Sequence, residues 1–382
     1  MIFDYIPPAD VVVATSFAVG LCVLALVALS WVHGRNLRRV PLRIHVGGSR
    51  GKTSTVRYLA AALREGGFTV LAKTTGTLPL LIMPDGREVR WSRWGAPSVA
   101  ETARFFRLAR HLKVDAVVLE SMAIEPEYLW AAENYLVRAT HLVLTNARPD
   151  HAEVLGTDDD AMARALSLLV PRQGHVFLTD ESNLAPILAA SRDNASSVSV
   201  VESAGASPDR INRALAQSVC TSLGLAPEVI SAGFDRAKID PGGFFVRDIV
   251  VDDRPLRFHN AFACNDVLSL ERLWQDHPAE EMPIVLLNAR FDRPERTKAF
   301  LDFLATLPPV KLVIAGAWRP AWARQAGLAP ENIARLRSRD PAGILRELAA
   351  LAPSRSVWGV GNYAGVGETL SDYLREQGSL LC

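Results

Sequence analysis

From Val11 to Val32 the chain carries no charged residue, and its middle reads Phe17-Ala-Val-Gly-Leu-Cys-Val-Leu-Ala-Leu-Val-Ala-Leu29. A helix of this length reaches about 33 Å, enough for a bilayer core about 30 Å thick. Asp4 and Asp10 precede the run, and Arg35, Arg38, Arg39 and Arg43 follow it. Positive residues stay cytoplasmic, so the pattern predicts a single membrane anchor over 1–33 with the N-terminus outside and the body in the cytoplasm. A cleaved signal peptide would carry its positive charge ahead of the apolar run, the reverse of this order. The competing reading is a buried core helix. Residues 34–41 read as a short basic linker ending at Pro41.

Beyond Pro41 the hydrophobic period alternates between strand and helix. Arg43–Val46 reads as a strand running into a glycine turn and a helix over Thr53–Glu65. A strand follows at Thr69–Ala72. Ser98–Leu112 has helical spacing, with Ser98 and Glu101 in the capping-box positions. Val114–Leu119, His141–Thr145 and Val176–Thr179 read as buried strands, with a helix over 183–191. Such alternation predicts an α/β fold, a parallel sheet with helices on both faces. Pro241-Gly242-Gly243 marks a break. After it, strands are predicted at 284–288, 310–315 and 356–360, and helices at 266–276, 294–306, 341–351 and 363–375. The reading is therefore a central domain over 42–245 and a smaller α/β domain over 246–382.

Composition sharpens this without redirecting it. The chain has 382 residues, 49% hydrophobic and 22% charged, which excludes a disordered or fibrous protein. Its net charge of +1 offers no global field for nucleic acid, so a polyanion must be met locally. The cysteines, Cys22, Cys220, Cys264 and Cys382, are far apart, which argues against a disulfide framework or a structural zinc site.

The strongest chemical signal is Val46-Gly47-Gly48-Ser49-Arg50-Gly51-Lys52-Thr53-Ser54 between a strand and a helix. Glycines let the amides of such a loop curl toward phosphate oxygens. The helix N-terminus and Lys52 add positive charge, and Thr53 offers a hydroxyl to a magnesium ion. The longest form of the motif has glycine where Val46 stands; the shorter G-x-x-G-K-T form from Gly48 is complete. Glu120 ends the strand Val114–Leu119, at the sheet edge where sites lie, and its carboxylate can hold a metal. The next strand ends in Thr145-Asn146-Ala-Arg148-Pro-Asp150-His151, which reads either as a metal shell or as a solvated turn. Lys73-Thr-Thr-Gly-Thr77 suits an anion-contacting loop and equally a surface turn. No N-K-x-D, D-F-G or H-R-D stretch occurs, which argues against a GTPase or a protein kinase.

Together, Gly48–Thr53, Ala72–Thr77, Glu120-Ser-Met-Ala123 and Asn146…Asp150-His151 resemble the Mur-type amide ligases. More closely, they resemble the ATP-dependent synthase subunit of poly-γ-glutamate capsule machinery, which also begins with one membrane helix and an arginine-rich linker. That family shares the stretches seen here as Asn260–Asp266, Asn288–Arg293 with Arg296-Thr297, and Gly359–Asn362. Departures exist. A membrane helix stands where Mur ligases carry a precursor-binding domain, Pro241-Gly242-Gly243 replaces a common Pro-Gly-Arg, and Glu153 stands where close relatives can carry a shorter acid.

The resemblance implies a P-loop, Mur-ligase-like central domain followed by a Rossmann-like C-terminal domain. It implies that a substrate γ-carboxylate takes the γ-phosphate of ATP to give an acyl phosphate, which the amine of an incoming glutamate then attacks. Nucleotide contacts would fall to Gly48, Ser49, Arg50, Gly51, Lys52, Thr53, Ser54 and Asn146. Thr53, Glu120 and His151 would hold one or two magnesium ions, with Asn146 and Asp150 orienting that shell. Catalytic positions would be Lys52, Glu120, His151, Arg290 and Arg293, since arginine forks suit carboxylates and phosphates. Lys73, Thr75, Thr77, Asn265, Asp266 and Asp292 would meet substrate. One helix cannot form a pore for a polyanion, so an integral membrane partner and self-association are expected. Two rivals remain: a folate-type γ-glutamyl ligase, which would need no tether, and a membrane-tethered ATP-binding scaffold without ligase activity.

Overall fold

The structure is a computed structural model that describes residues 9–76, 79–93, 98–123, 125–146, 159–180, 184–203, 206–238, 243–264, 267–278, 282–291, 294–317, 322, 324, 326–351 and 355–377. It forms two compact units, Met1–Lys238 and Ile239–Cys382, so the change of unit falls a few residues before the expected 245/246.

The first unit begins with α1 (Ala9–Leu37). An 18-residue window within its stretch Val11–Leu37 has a mean hydropathy of 2.6, and the stretch is long and apolar enough to cross a membrane. The side chains from Val11 to Val32 are exposed. The stretch expected as a linker differs from that expectation. The helix runs on to Leu37, and Asn36, Leu37 and Val40 are buried, because Leu37 and Val40 join an apolar cluster with Phe105, Phe106 and Val137.

Then come β1 (Leu42–Gly47), α2 (Lys52–Glu65), β2 (Val70–Thr74), β3 (Leu80–Ile82), β4 (Glu88–Arg90), α3 (Glu101–His111) and β5 (Ala116–Glu120). The chain continues through α4 (Pro126–Ala131), one π-helical turn (Ala132–Val137), β6 (His141–Leu144), α5 (Asp159–Ser167), β7 (His175–Thr179), α6 (Ala185–Asp193), β8 (Ser197–Val201), α7 (Pro208–Ser222) and α8 (Pro227–Asp235). The sheet order is β4-β3-β2-β5-β1-β6-β7-β8. It is mixed, because β3 pairs antiparallel with β2 and with β4. The parallel sheet expected from alternation runs through β2-β5-β1-β6-β7-β8, and a short antiparallel hairpin, which needs no crossover helix, is added at this edge.

Strand alternation sends Ile44, Val46 and Val118 to one face, against Val56, Leu59 and Leu63 of α2 and Leu215 and Val219 of α7. Leu71, Val117 and Leu119 face the other way, onto Phe105, Phe106 and Ala109 of α3. With both faces covered, the central strands read as continuous apolar runs. β1 lies between β5 and β6, and the register sets Val46 against Glu120 and Gly47 against Leu144. The chain leaves β1 toward β2 on one side and reaches β6 on the other, so β1 ends at a topological switch point.

The second unit has β9 (Phe245–Val251), β10 (Arg254–Asn260), α9 (Val267–Asp276), β11 (Ile284–Ala289), α10 (Pro294–Thr306), β12 (Lys311–Gly316), β13 (Ile333–Arg335), α11 (Pro341–Ala350), β14 (Ser356–Gly361) and α12 (Val366–Gln377). Its order is β13-β12-β11-β14-β10-β9, parallel except for the β9–β10 hairpin. Asp252 and Asp253 turn that hairpin with φ of 47° and 61°. A tight hairpin turn of this hand requires positive φ at both central residues, a conformation that aspartate tolerates.

Candidate active site

The loop after β1 curls because two of its glycines hold backbone that other residues rarely adopt. Gly48 has φ +117°, and a Cβ there would fall 2.3 Å from Thr145 Oγ1; Gly51 has φ +84°, and a Cβ there would fall 2.2 Å from Asn212 Oδ1. Gly51 is the N-cap of α2 and brings no side chain to its first-turn amides. That turn also carries Ser54. The Lys52 ammonium lies back over the loop, donating to the Gly48 carbonyl at 2.7 Å and to the Ser49 carbonyl at 3.1 Å.

Asn146, just past β6, laces the loop from one side. Its backbone carbonyl accepts from Ser49 N at 3.2 Å, its Oδ1 accepts from Arg50 N at 3.3 Å, and its Nδ2 donates to the Arg50 carbonyl at 2.9 Å. The geometry makes Asn146 a brace of the phosphate loop.

Glu120 closes the loop from the other side, at the end of β5. It is buried, and its Oε2 accepts from the Thr53 hydroxyl at 3.0 Å and from the Thr75 amide at 2.7 Å. Thr75 thus reaches the site through its backbone. A Cβ on Gly76 would lie 2.6 Å from Thr53 Oγ1 and 3.7 Å from Glu120 Oε1. The missing side chain therefore leaves the approach open beside a hydroxyl and a carboxylate that converge, oxygen donors of the kind a hard divalent cation takes. Thr53 and Glu120 fit that role. His151, the third expected ligand, lies outside the described residues, as do Asp150, Thr77, Asn265, Asp266, Asp292 and Arg293. Among the described residues no group of three His, Cys, Asp or Glu side chains could hold a metal by itself.

Lys73, expected to meet substrate, stands in an ion pair with Glu101. It is buried, its Nζ lies 2.7 Å from Glu101 Oε2, and its ammonium stands 4.9 Å from the Trp91 ring centre. Burial pushes the Lys73 pKa down, and Glu101 partly restores it. Glu101 was expected to cap its own helix. Instead Ala100 is the N-cap without a side-chain bond, and the Glu101 carboxylate takes Lys73, Arg93 Nε at 3.0 Å and Trp91 Nε1 at 2.8 Å. Burial works to raise the Glu101 pKa, but the Lys73 and Arg93 cations and the indole N–H bring it below the usual range. A buried ammonium is a stronger demand than an exposed helix end, so it claims the carboxylate.

Two neighbours of the site carry no motif. Asn212 on α7 backs Gly51, and its distance along the chain hides this from any local pattern. Ser121 follows Glu120 and lines a small cleft with His45, Lys73 and Thr102. Its buried hydroxyl has no hydrogen-bond partner among the described residues.

In the second unit Arg290 follows β11 and is half-buried. Asn288 and Asn362 tie the ends of β11 and β14: Asn288 Nδ2 donates to the Asn362 and Ala364 carbonyls, and Asn362 Nδ2 donates to the Asn288 carbonyl at 2.9 Å. Arg296 reaches Asn362 Oδ1 at 3.3 Å. The Asn288–Phe291 and Gly359–Asn362 stretches are thus neighbours at one sheet edge.

Residues 46–226 match the Mur ligase middle domain, and residues 246–377 match the poly-gamma-glutamate synthase CapB C-terminal domain. The chain belongs among the Mur-type ATP-dependent ligases. Within that family it is similar to the capsule biosynthesis protein CapB of Bacillus anthracis, 27% identical over 94% of this chain and 83% of that one. It is also similar to the PGA synthase CapB of Bacillus subtilis, 26% identical over 90% of this chain and 93% of that one. Among solved structures, a folylpolyglutamate synthase/dihydrofolate synthase from Yersinia pestis, solved with AMPPNP and a Mn ion, shares the fold. Its TM-score is 0.66 at 16% identity, covering 94% of this chain and 98% of that one. MurF from Acinetobacter baumannii aligns with a TM-score of 0.64 at 16% identity, covering 91% of this chain and 79% of that one. The Mur-type frame accounts for a phosphate loop, a strand-end carboxylate and a second α/β unit in one ligase chain.

Proposed function

We propose that this ligase joins glutamate through its γ-carboxylate to the amine of another glutamate, building poly-γ-glutamate. A carboxylate does not condense with an amine at neutral pH, because its oxygen is a poor leaving group. Phosphorylation by ATP makes an acyl phosphate and ADP. The incoming amine attacks the acyl carbon, the carbon–oxygen bond to phosphate breaks, and the nitrogen loses its extra proton as phosphate leaves.

The obstacle is the crowding of anions, and this chain's residues address it. Lys52 neutralises the β- and γ-phosphates, and the amides of Gly48–Thr53 bind their oxygens. A magnesium ion, when bound, withdraws charge from the phosphate oxygens; Thr53 and Glu120 would hold one, and His151 with Glu120 a second. Asn146 keeps the loop in its binding shape, and Asp150 orients His151. Arg290 and Arg293 offer forks for carboxylate or phosphate, and Asp292 an acceptor for the amine. Asn265, Asp266, Thr75 and Thr77 are polar contacts for the substrate.

The apolar stretch of α1 is read as a membrane span, with the N-terminus outside and the body in the cytoplasm. The arginines after it support that orientation. A polymer that leaves the cell needs an exit, so an integral membrane partner is part of the proposal, as is self-association of the chain.

The carrying observation is the convergence of Glu120 and Thr53 beside the Lys52 loop in a chain related to CapB along most of its length. Its test is ATP-dependent incorporation of labelled glutamate by membranes carrying this chain. Growing polymer that disappears in Lys52→Ala supports the reading. Glutamate added to a folate acceptor but not to itself would replace it with the folate-type reading. Full incorporation by Glu120→Ala membranes would leave only a scaffold.

A further inference from the structure

α1 does not hang from the body by a flexible tether. It continues unbroken past Val32 to Leu37, and its last turns are fastened at four points. His33 Nε2 lies 2.9 Å from the Leu136 carbonyl, and the His33 ring meets Phe106 edge-on at 5.9 Å. Asn36 Oδ1 accepts from Arg110 at 3.2 Å, and Leu37 is buried. Exposure changes at the same place: side chains up to Val32 are bare, and from His33 onward the helix is partly covered by the body.

This fixes a distance. From Val32 to Leu37 the helix rises only about 7–8 Å. The headgroup layer on each side of a bilayer is about 5–8 Å thick. If α1 spans a bilayer, the body surface beside His33 therefore lies within the headgroup layer.

The segment that His33 meets carries two exposed aromatic side chains. Tyr135 precedes the residue whose carbonyl His33 meets, and it is 56% exposed. Trp130 is 45% exposed and packs edge-on against Tyr135, with ring centres 5.3 Å apart. The same two segments carry exposed arginines: Arg35 in the last turn of α1, Arg38 and Arg39 just after it, and Arg138 just after the π-helical turn, where its Nε donates to the Asn134 carbonyl. Arg35 also lies 5.8 Å from the centre of the exposed Trp31 ring. No Asp or Glu occurs between Val11 and Leu63. Glu133 is turned inward onto His45 and the Ala139 amide. Glu127 lies about 12 Å along the helix from Tyr135. Rings with one polar edge, set among arginines and next to a membrane helix, are what a headgroup layer with anionic lipid selects.

We propose that Trp130 and Tyr135, with Arg35, Arg38, Arg39 and Arg138, form a second membrane contact that lies in the headgroup layer of an anionic lipid leaflet and holds the catalytic body against it. The proposal rests on the reading of α1 as a membrane span. Its consequence concerns orientation. β1 rises from Leu42, next to the docked end of α1, to Gly47 at the phosphate loop, about 17 Å further on. The contact thus holds the amino ends of the central strands toward the lipid and directs the phosphate loop away from it.

The test uses the full chain reconstituted in vesicles of phosphatidylcholine and phosphatidylglycerol. Each variant keeps one cysteine, labelled with an environment-sensitive fluorophore: native Cys22, Trp130→Cys, Tyr135→Cys, or Val200→Cys on the far sheet edge. Quenching is read with lipids brominated either near the headgroup or deep in the acyl chains. The expected result is deep quenching at 22, shallow quenching at 130 and 135 to about half intensity or less, and neither at 200. Shallow quenching at 130 and 135 should weaken when phosphatidylglycerol is omitted. Deep quenching at 22 with no shallow quenching at 130 or 135 overturns the second contact and leaves the anchor standing. No quenching at 22 overturns the anchor and this proposal with it. Probing both 130 and 135 means that one misfolded variant does not void the test.

Discussion

One oxygen of Glu120 binds both the Thr53 hydroxyl, at 3.0 Å, and the backbone amide of Thr75, at 2.7 Å. The carboxylate thereby joins the phosphate-loop helix to the loop after β2 and brings a negative charge beside the one hydroxyl a metal would use. Replacing Glu120 by Gln keeps the size and removes the charge. Turnover of ATP and glutamate should fall by at least about 100-fold, since the developing phosphate charge loses its metal-assisted offset. Thermal stability should change little. ADP release across a magnesium titration checks this; an unchanged magnesium dependence would remove Glu120 from the metal shell.

Gly76 makes a sharper test of the space itself. Its φ is not in the positive range, so alanine is not strained there by backbone; only the 2.6 Å approach of the new Cβ to Thr53 Oγ1 matters. Gly76→Ala should weaken nucleotide and metal binding by about tenfold or more with an unchanged melting temperature, since lost pocket space is felt by the ligand and not by the core. Calorimetric titration with a non-hydrolysable ATP analogue measures it.

Lys73 is expected to matter for stability. Removing one member of a buried ion pair strands the other and costs about 3–5 kcal/mol. Glu101 keeps Arg93 and Trp91 in the absence of Lys73, so the low end applies. Lys73→Met should lower the unfolding midpoint markedly. At a temperature where the variant is folded, its KM for glutamate should match the parent. A raised KM with normal stability would return Lys73 to the substrate.

His259 should make the second unit sensitive to acid. It is buried, stacked on Trp358 at 4.4 Å, and its Nδ1 has no hydrogen-bond partner among the described residues. Burial first, and then the His277 and Arg257 charges, push its pKa down to about 4, from the 6.5 of an ordinary histidine. Between pH 6.5 and 4 the unfolded chain therefore binds the proton that the folded chain refuses. Stability is full above pH 6.5 and falls as pH drops, by about 2 kcal/mol at pH 4.5. His259→Phe keeps the stack and removes the proton. Its unfolding midpoint should depend less on pH across this window than the parent's, as circular dichroism melts in detergent would record.

The phosphate loop was legible because its chemistry is local. Gly48, Gly51, Lys52 and Thr53 lie within six residues of one another, and the strand and helix periods flank them. Glu120 was legible for a related reason: a buried strand followed by an acid announces a sheet edge. The apolar run to Val32 likewise needs no partner to be seen. The two hairpins escaped because their strands are short or hold polar residues, so alternation showed only the parallel part of each sheet. Glu101 shows the limit most clearly. Its spacing from Ser98 is that of a capping box, and nothing local reveals Lys73, 28 residues earlier, as a buried cation that takes the carboxylate.

Local order along the chain was enough to determine which segments become strand, amphipathic helix, long apolar helix and phosphate loop, because hydrophobic period and glycine placement act over a few residues. Only the tertiary structure decided that Glu120 and Asn146 flank that loop, that Lys73 points inward, and that the long apolar helix is fastened to the body at His33. Those relations depend on strand order and register, which bring together residues far apart in sequence whose side chains meet only once the sheet has formed.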